Sequence, residues 1–176
     1  MRTEKSNRGV RRPVCRALLA SGTLAVTALM GVPAAHAATG DLVAGAFVRQ
    51  STSDPTECFA ASFGVSTGDS GTTGTFVQVG YRCDGSGDTG NFVIADIDCL
   101  VVSGRQAAFA GAIVLGGGIF ADFAYIRAGV MDLSPGRPDT AVTGRSRTTP
   151  PCALVPAAAG YGAVEESGEI IIISGS

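Results

Sequence analysis

The sequence contains no tryptophan and only one lysine and one histidine, Lys5 and His36. Both lie within the first 37 residues, so residues 38–176 have neither side chain. Their absence removes from that region the Ser-His-Asp and Cys-His nucleophiles, Schiff-base lysines, phosphate-loop lysines and histidine-ligated zinc. Carboxylate chemistry remains. The sequence therefore predicts a domain that is not an enzyme and that has no cofactor and no metal site.

The first 37 residues have the three regions of a secretory signal peptide. A cationic segment at 2–16 precedes an uncharged, Ala- and Leu-rich run at 17–32, and Ala35-His36-Ala37 supplies the small residues that a signal peptidase needs. The alternative is a membrane anchor, but a run of about sixteen residues is short for a bilayer. We predict cleavage after Ala37, a signal peptide at 1–37, and a secreted, extracellular domain at 38–176.

Positive charge is scarce in the predicted domain, which has seven arginines and fourteen carboxylates and therefore a net charge of −7. Nucleic acids and anionic membrane surfaces both bind to positively charged protein surfaces, so neither is expected as a partner. Removing 37 of 176 residues leaves 139, enough for one domain with a core. Abundant glycine and threonine and short apolar runs predict an all-β domain.

The clearest structural pattern is a pair of strands between Asn91 and Leu115. Apolar residues alternate with Asp96 and Asp98, which predicts one face in the core and one in water. The predicted core face consists of Val93, Ala95, Ile97, Cys99 and Val101. A three-residue loop at 103–105 aligns the apolar residues of the two strands, whereas a two-residue loop does not. The resulting pairs are Cys99 with Phe109, Ile97 with Gly111, and Ala95 with Ile113.

Other alternating segments bring the total to seven or eight antiparallel strands in one domain. They lie at 41–49, 57–66, 75–83, 119–133, 140–145 and 169–174, of which 119–133 also fits a helical pattern. The isoleucine-rich last segment would aggregate as an open edge, so it should be buried on both faces or paired on both sides. A small closed barrel, in which it pairs with the first strand, meets this requirement. A two-sheet β-sandwich is the alternative.

Asp96 and Asp98 form one candidate site, because carboxylates two apart on a strand have the separation of a glycosidase pair. The competing interpretation is a solvated outer face of a one-sided sheet, which the lack of tryptophan favours.

Asp84, Ser86 and Asp88 have the alternate spacing of a calcium loop. The sixth position lacks glycine and the twelfth lacks glutamate, so an ordinary turn is favoured.

A third candidate is the arginine cluster of Arg137, Arg145 and Arg147. It suits a carboxylate or sulfate ligand, with a solvated loop as the favoured alternative.

Four cysteines lie in the predicted domain, Cys58, Cys83, Cys99 and Cys152, and they predict two disulfides. No C-x-x-C motif supports a metal or redox role. Proximity in a hairpin favours Cys58–Cys83, but the register that matches Phe59 with Tyr81 and Phe63 with Val77 puts Cys58 on the other face. Cys83 and Cys99 are too far apart to bond. Two pairings remain: Cys58–Cys83 with Cys99–Cys152, and Cys58–Cys99 with Cys83–Cys152.

The segment DIDCLVVSGRQAAFAGAI at 96–113 resembles a group of uncharacterised secreted bacterial β-rich proteins. That group has a D-x-D-C-L-x-V-x-G-N-x-A-x-x-x-G-x-I core, a P-D loop with a second cysteine, and a closing apolar strand. Pro138-Asp139 and Cys152 match the loop, whereas Arg105 and Leu133 stand where the group has Asn. The resemblance implies a Cys99–Cys152 disulfide, which leaves Cys58 to pair with Cys83. It implies no activity.

Three function classes remain, in decreasing order of support. They are an extracellular binding or interaction module with an unknown partner, a barrel that holds a small apolar ligand, and a carboxylate-based hydrolase. A filled core favours the first class and an empty apolar lumen the second. The third requires Asp96 or Asp98 in a cleft with a second carboxylate within about 5 to 10 Å.

Overall fold

The computed structural model describes residues 40–51, 53–133, 139–153 and 168–175. These residues contain eight strands: β1 (Leu42–Gln50), β2 (Glu57–Gly68), β3 (Gly71–Arg82), β4 (Asp88–Ser103), β5 (Gln106–Gly117), β6 (Tyr125–Met131), β7 (Thr140–Ser146) and β8 (Gly168–Ile173). All neighbours are antiparallel, in the order β7-β6-β5-β4-β3-β2-β1-β8. The all-β prediction is confirmed: the described strands form one sheet, curled into a half-barrel.

The concave face of the half-barrel is filled by side chains. Phe63, Phe76 and Phe109 are at most 2% exposed, and they come from β2, β3 and β5. The rings of Phe63 and Phe109 lie 5.0 Å apart between centroids, and those of Phe76 and Phe109 6.0 Å apart. One continuous apolar cluster reaches from Ile170 on β8 to Ala141 on β7. Burial of this cluster is the main driving force for curling the sheet.

Side chains connect the two end strands of the sheet, β7 and β8. The Asp139 carboxylate accepts hydrogen bonds from the backbone N–H of Leu133 at 2.9 Å and of Ile170 at 2.8 Å. Asp139 immediately precedes β7, and Ile170 lies in β8, so one carboxylate joins both edges. Arg49 of β1 lies beyond the last β1 residue that pairs with β8. Its Nη2 donates a hydrogen bond to Thr143 Oγ1 of β7 at 2.8 Å.

β8 pairs with β1 as predicted, with Ile170 opposite Gly45 and Ile172 opposite Val43. The expectation that it would be buried on both faces or paired on both sides is wrong. Among the described strands β8 has one partner, and Ile171 and Ile173 are 49% and 51% exposed. Only alternate isoleucines reach the concave face, because side chains alternate along a strand.

The loop of the β4–β5 hairpin was predicted with one residue too many. Ser103 pairs with Gln106, so the turn contains Gly104 and Arg105 alone. A β-bulge at Asp98 shifts the register by one residue, which restores the predicted pairs of Ile97 with Gly111 and Ala95 with Ile113. Beyond the bulge the side chains point to the face opposite to the predicted one. Leu100 is therefore buried opposite Phe109, whereas Cys99 and Val101 no longer lie on the core face.

The segment 119–133 is a strand only from Tyr125 onward. Before it, Gly118–Phe120 form a 3-10 turn, η1, which brings Phe120 into the core at 5% exposure. The predicted short strand near 140–145 is confirmed as β7. The predicted signal peptide, Arg137 and the unassigned segment 153–162 beyond Ala153 lie outside the described residues.

Candidate functional site

Asp96 and Asp98 lie on the convex, outward face of β4. Both side chains are exposed, with Asp96 opposite Thr75 and Ala112 and Asp98 at the bulge. A glycosidase pair acts from a cleft that holds the sugar between its carboxylates. The exposed setting of these two residues instead favours the solvated-face interpretation.

Asp84 and Asp88 stabilise the turn between β3 and β4. Asp84 Oδ1 accepts the backbone N–H of Ser86 at 2.9 Å, and Asp88 Oδ1 accepts that of Gly90. Hydrogen bonds from Ser86 lower the pKa of Asp84 below its usual value. Among the described residues no group of three or more His, Cys, Asp or Glu side chains is arranged to hold a metal ion. The carboxylates act here as turn residues.

The structure pairs Cys58 with Cys83 and Cys99 with Cys152, with Cα–Cα distances of 5.0 and 5.7 Å. This is the pairing that the resemblance implied. The β2–β3 register predicted from the aromatic residues is wrong by one position, because Phe63 lies opposite Phe76 and Phe59 opposite Gly80. The slip lets Cys58 and Cys83 meet diagonally at the open end of this hairpin.

A cluster of apolar side chains lies on the convex face of the three central strands. We call it the convex patch; it consists of Val77, Val79, Phe92, Ile94 and Leu115. Val79 is opposite Phe92, and Ile94 is opposite both Val77 and Leu115, so the side chains are direct neighbours. Val79 and Leu115 are 46% and 54% exposed. The ring of Phe92 lies over Gly117, where a Cβ atom would be 2.8 Å from ring atom Cδ1.

Two exposed apolar residues and one carboxylate lie close in sequence to residues of the convex patch. Val114, the extra residue of a second bulge, is 61% exposed, and Ile119 in η1 is 41% exposed. Asp96 lies two residues beyond Ile94 on the same face. The sequence reasoning missed this surface, although the runs FVQV and NFVIA break the apolar–polar alternation of a one-sided strand.

A buried polar group lies at one end of the concave face. Glu57 is 6% exposed, and its Oε1 accepts hydrogen bonds from Thr89 Oγ1 at 2.7 Å and from Asn91 Nδ2. Asn91 Oδ1 in turn accepts the N–H of Ile119 at 2.8 Å, which ties η1 to β4 and β2. The absence of a side chain at Gly80 makes room, since a Cβ there would lie 3.0 Å from Glu57 Oε1.

Arg49 and Gln78 are two further polar residues on the inner side of the sheet. The Arg49 guanidinium stacks over Phe59, 5.2 Å from the ring centroid, and its Nε has no hydrogen-bond partner among the described residues. Burial lowers the pKa of Arg49, and the nearby Glu57 carboxylate partly opposes that shift. Gln78 is fully buried on β3, and neither its Oε1 nor its Nε2 has a partner in the described part of the chain.

Replacing Gln78 with methionine is expected to raise the free energy of unfolding by about 1 to 3 kcal/mol. The new side chain has a similar shape and removes two buried polar atoms that lack partners. Urea unfolding measures the change, and Gln106→Met at a half-buried strand end is the control, expected to stay within about 0.5 kcal/mol. A less stable Gln78→Met protein would show that the amide hydrogen-bonds to a buried water.

No helix among the described residues is long and apolar enough to cross a membrane. No protein-family model, no curated protein and no solved structure matches the chain. The resemblance of residues 96–113 to secreted β-rich proteins therefore stays a prediction.

Proposed function

We propose that residues 38–176 form a secreted interaction module that binds a protein partner through the convex patch. The patch itself is the observation that carries this proposal. An antiparallel sheet with one face in the core normally presents polar side chains on its other face. Here five neighbouring apolar side chains occupy that outer face, and contiguous exposed apolar surface of this kind marks interaction sites.

The filled concave face supports an interaction module over a ligand-holding barrel. Phe63, Phe76 and Phe109 pack against one another where an apolar ligand would need space. The exposure of Asp96 and Asp98 gives the hydrolase class no support.

The chemistry around the patch favours a partner with an apolar centre and a basic rim. Asp96 is exposed on the same face beside Ile94, and Asp98 is exposed two residues further along β4. The net charge of −7 over residues 38–176 adds long-range attraction for cations. A second copy of the chain would bring the same negative charge to the interface, so a different, basic protein fits better.

Two features support secretion. The predicted signal peptide directs export, and two disulfides fit an oxidising extracellular compartment.

Substitution of Val79 and Leu115 with aspartate is expected to weaken partner binding by at least about tenfold, because it puts charge at the centre of an apolar contact. The partner is captured on immobilised wild-type domain from the culture medium, identified by mass spectrometry, and its affinity is then measured by interferometry. The control is Ile171→Asp with Ile173→Asp, two equally exposed apolar residues on β8.

The proposal predicts loss of binding in the patch variant and retention in the β8 control. A partner that binds both variants as tightly as wild type, or that loses affinity only for the β8 variant, would contradict the convex patch as the site. Asp96→Asn tests the basic rim separately, with a slower association rate expected at low salt.

A further inference from the structure

Arg145 and Arg147, at the end of β7, both lie over the ring of Phe123. Their Cζ atoms lie 4.8 and 5.6 Å from the centroid of Phe123, and Arg145 Cζ also lies 5.7 Å from that of Phe120. Both arginine side chains are exposed. We call these two residues the arginine pair.

The arginine pair forms no ion pair with a described carboxylate, unlike Arg82 and Arg105. Arg82 forms an ion pair with Asp54 at 3.5 Å and Arg105 one with Asp132 at 3.8 Å. Asp122 precedes Phe123 directly, yet it makes no ion pair with either residue of the arginine pair. Two neighbouring positive charges therefore remain uncompensated by any described carboxylate.

Hydrogen bonds hold the backbone next to Phe123 and at the end of β7. Ala124 donates to Ser146 O at 3.0 Å and its own carbonyl accepts from Ile113 N at 2.8 Å, which anchors the Phe123 segment to β7 and β5. Ser146 lies between the two arginines in sequence. Its hydroxyl donates a hydrogen bond to Thr148 O at 2.7 Å and accepts one from Thr148 N. The chain around both guanidinium groups is thus positioned before any ligand binds.

The contact with Phe123 involves no conventional hydrogen-bond acceptor, so it leaves N–H donors of both guanidinium groups for a ligand. A guanidinium has five N–H donors in its plane, and the ring contact uses none of them. Planar donors of this kind match the oxygens of a carboxylate or sulfate group in a bidentate manner. We propose that the arginine pair with Phe123 is a binding site for an oxyanion, either a carboxylate or a sulfate group, separate from the convex patch.

Titration of the side-chain Nε–H signals by NMR tests this site in the intact secreted protein. Sodium sulfate and sodium acetate each replace sodium chloride at constant ionic strength, so that screening stays equal. Saturable shifts of Arg145 and Arg147 are expected with at least one of the two anions, and the anion that saturates identifies the ligand group. Arg127, exposed on β6 and outside the ring contacts, is the internal control and should not shift.

Arg145→Gln and Arg147→Gln should each weaken the affinity about tenfold or more, since each removes charge-assisted hydrogen bonds. Arg145→Lys keeps the charge but loses the planar donors, so it should restore only part of the affinity. Arg127→Gln should leave the affinity unchanged. Shifts that are linear and equal for all exposed arginines, or an affinity that survives in the Arg145→Gln and Arg147→Gln variants, would overturn the proposal.

Discussion

Truncation of Phe63 to alanine is expected to lower the free energy of unfolding by about 3 to 5 kcal/mol. The ring is 2% exposed and lies 6.3 Å from the ring of Phe47 and 5.0 Å from that of Phe109 between centroids. Its Cζ atom is 2.9 Å from the position that a Cβ of Gly45 would take, so the ring fills the space beside a residue without a side chain. Removal would leave a cavity that Gly45 cannot fill.

Guanidinium unfolding with the disulfides intact measures this loss. Phe92→Ala is the matched control, because Phe92 is a half-buried phenylalanine on the convex face of the same sheet. Its truncation removes less buried area and opens no interior cavity, so a smaller loss is expected. Equal losses for the two variants would show that the concave face is not the packed core of the protein.

Replacement of Cys99 and Cys152 together by serine is expected to lower the free energy of unfolding by about 4 kcal/mol in the chain-entropy model. The sequence separation of the two cysteines is 53, and loss of the bond frees this long segment in the unfolded state. Cys99 is half-buried and Cys152 exposed, so the serine hydroxyls remain within reach of water.

The second disulfide provides the comparison. Cys58 and Cys83 are separated by 25 positions, and their removal should lower the free energy by about 3.5 kcal/mol. Alanine is the suitable replacement at Cys58, which is 7% exposed. Wild-type protein in a strong reductant should be less stable than either double variant. A Cys99/Cys152 variant as stable as wild type would contradict the predicted role of this bond.

In sequence, η1 lies between Leu115 of the convex patch and Phe123, the ring that the arginine pair contacts. Ile119 in η1 is 41% exposed, and Phe123, four residues later, contacts both residues of the arginine pair. The Glu57–Asn91 hydrogen bonds hold Ile119 from inside the half-barrel. The buried polar group thus helps to position η1 on the surface.

Much of the architecture was predictable because its signals are local. Alternation of apolar and polar residues identified the strands, and it placed Asp96 and Asp98 on the outer face. The run of isoleucines near the C-terminus required a partner strand, which it has in β1. Even the pairs Ile97–Gly111 and Ala95–Ile113 followed from the apolar pattern, because a one-residue slip would have moved these side chains to the other face.

Other features depended on contacts between residues that are distant in sequence. The bulge at Asp98 reversed the faces of Cys99 and Leu100, and the one-residue slip between β2 and β3 turned Gln78 inward and Val79 outward. The contacts of Arg49 with Thr143 and of Arg147 with Phe123 each join separate strands or loops. A single inserted residue changes the direction of every side chain beyond it, and only cross-strand packing selects where that insertion lies. Periodicity along the chain therefore determined the strands, whereas packing across the sheet decided which surfaces are available for binding.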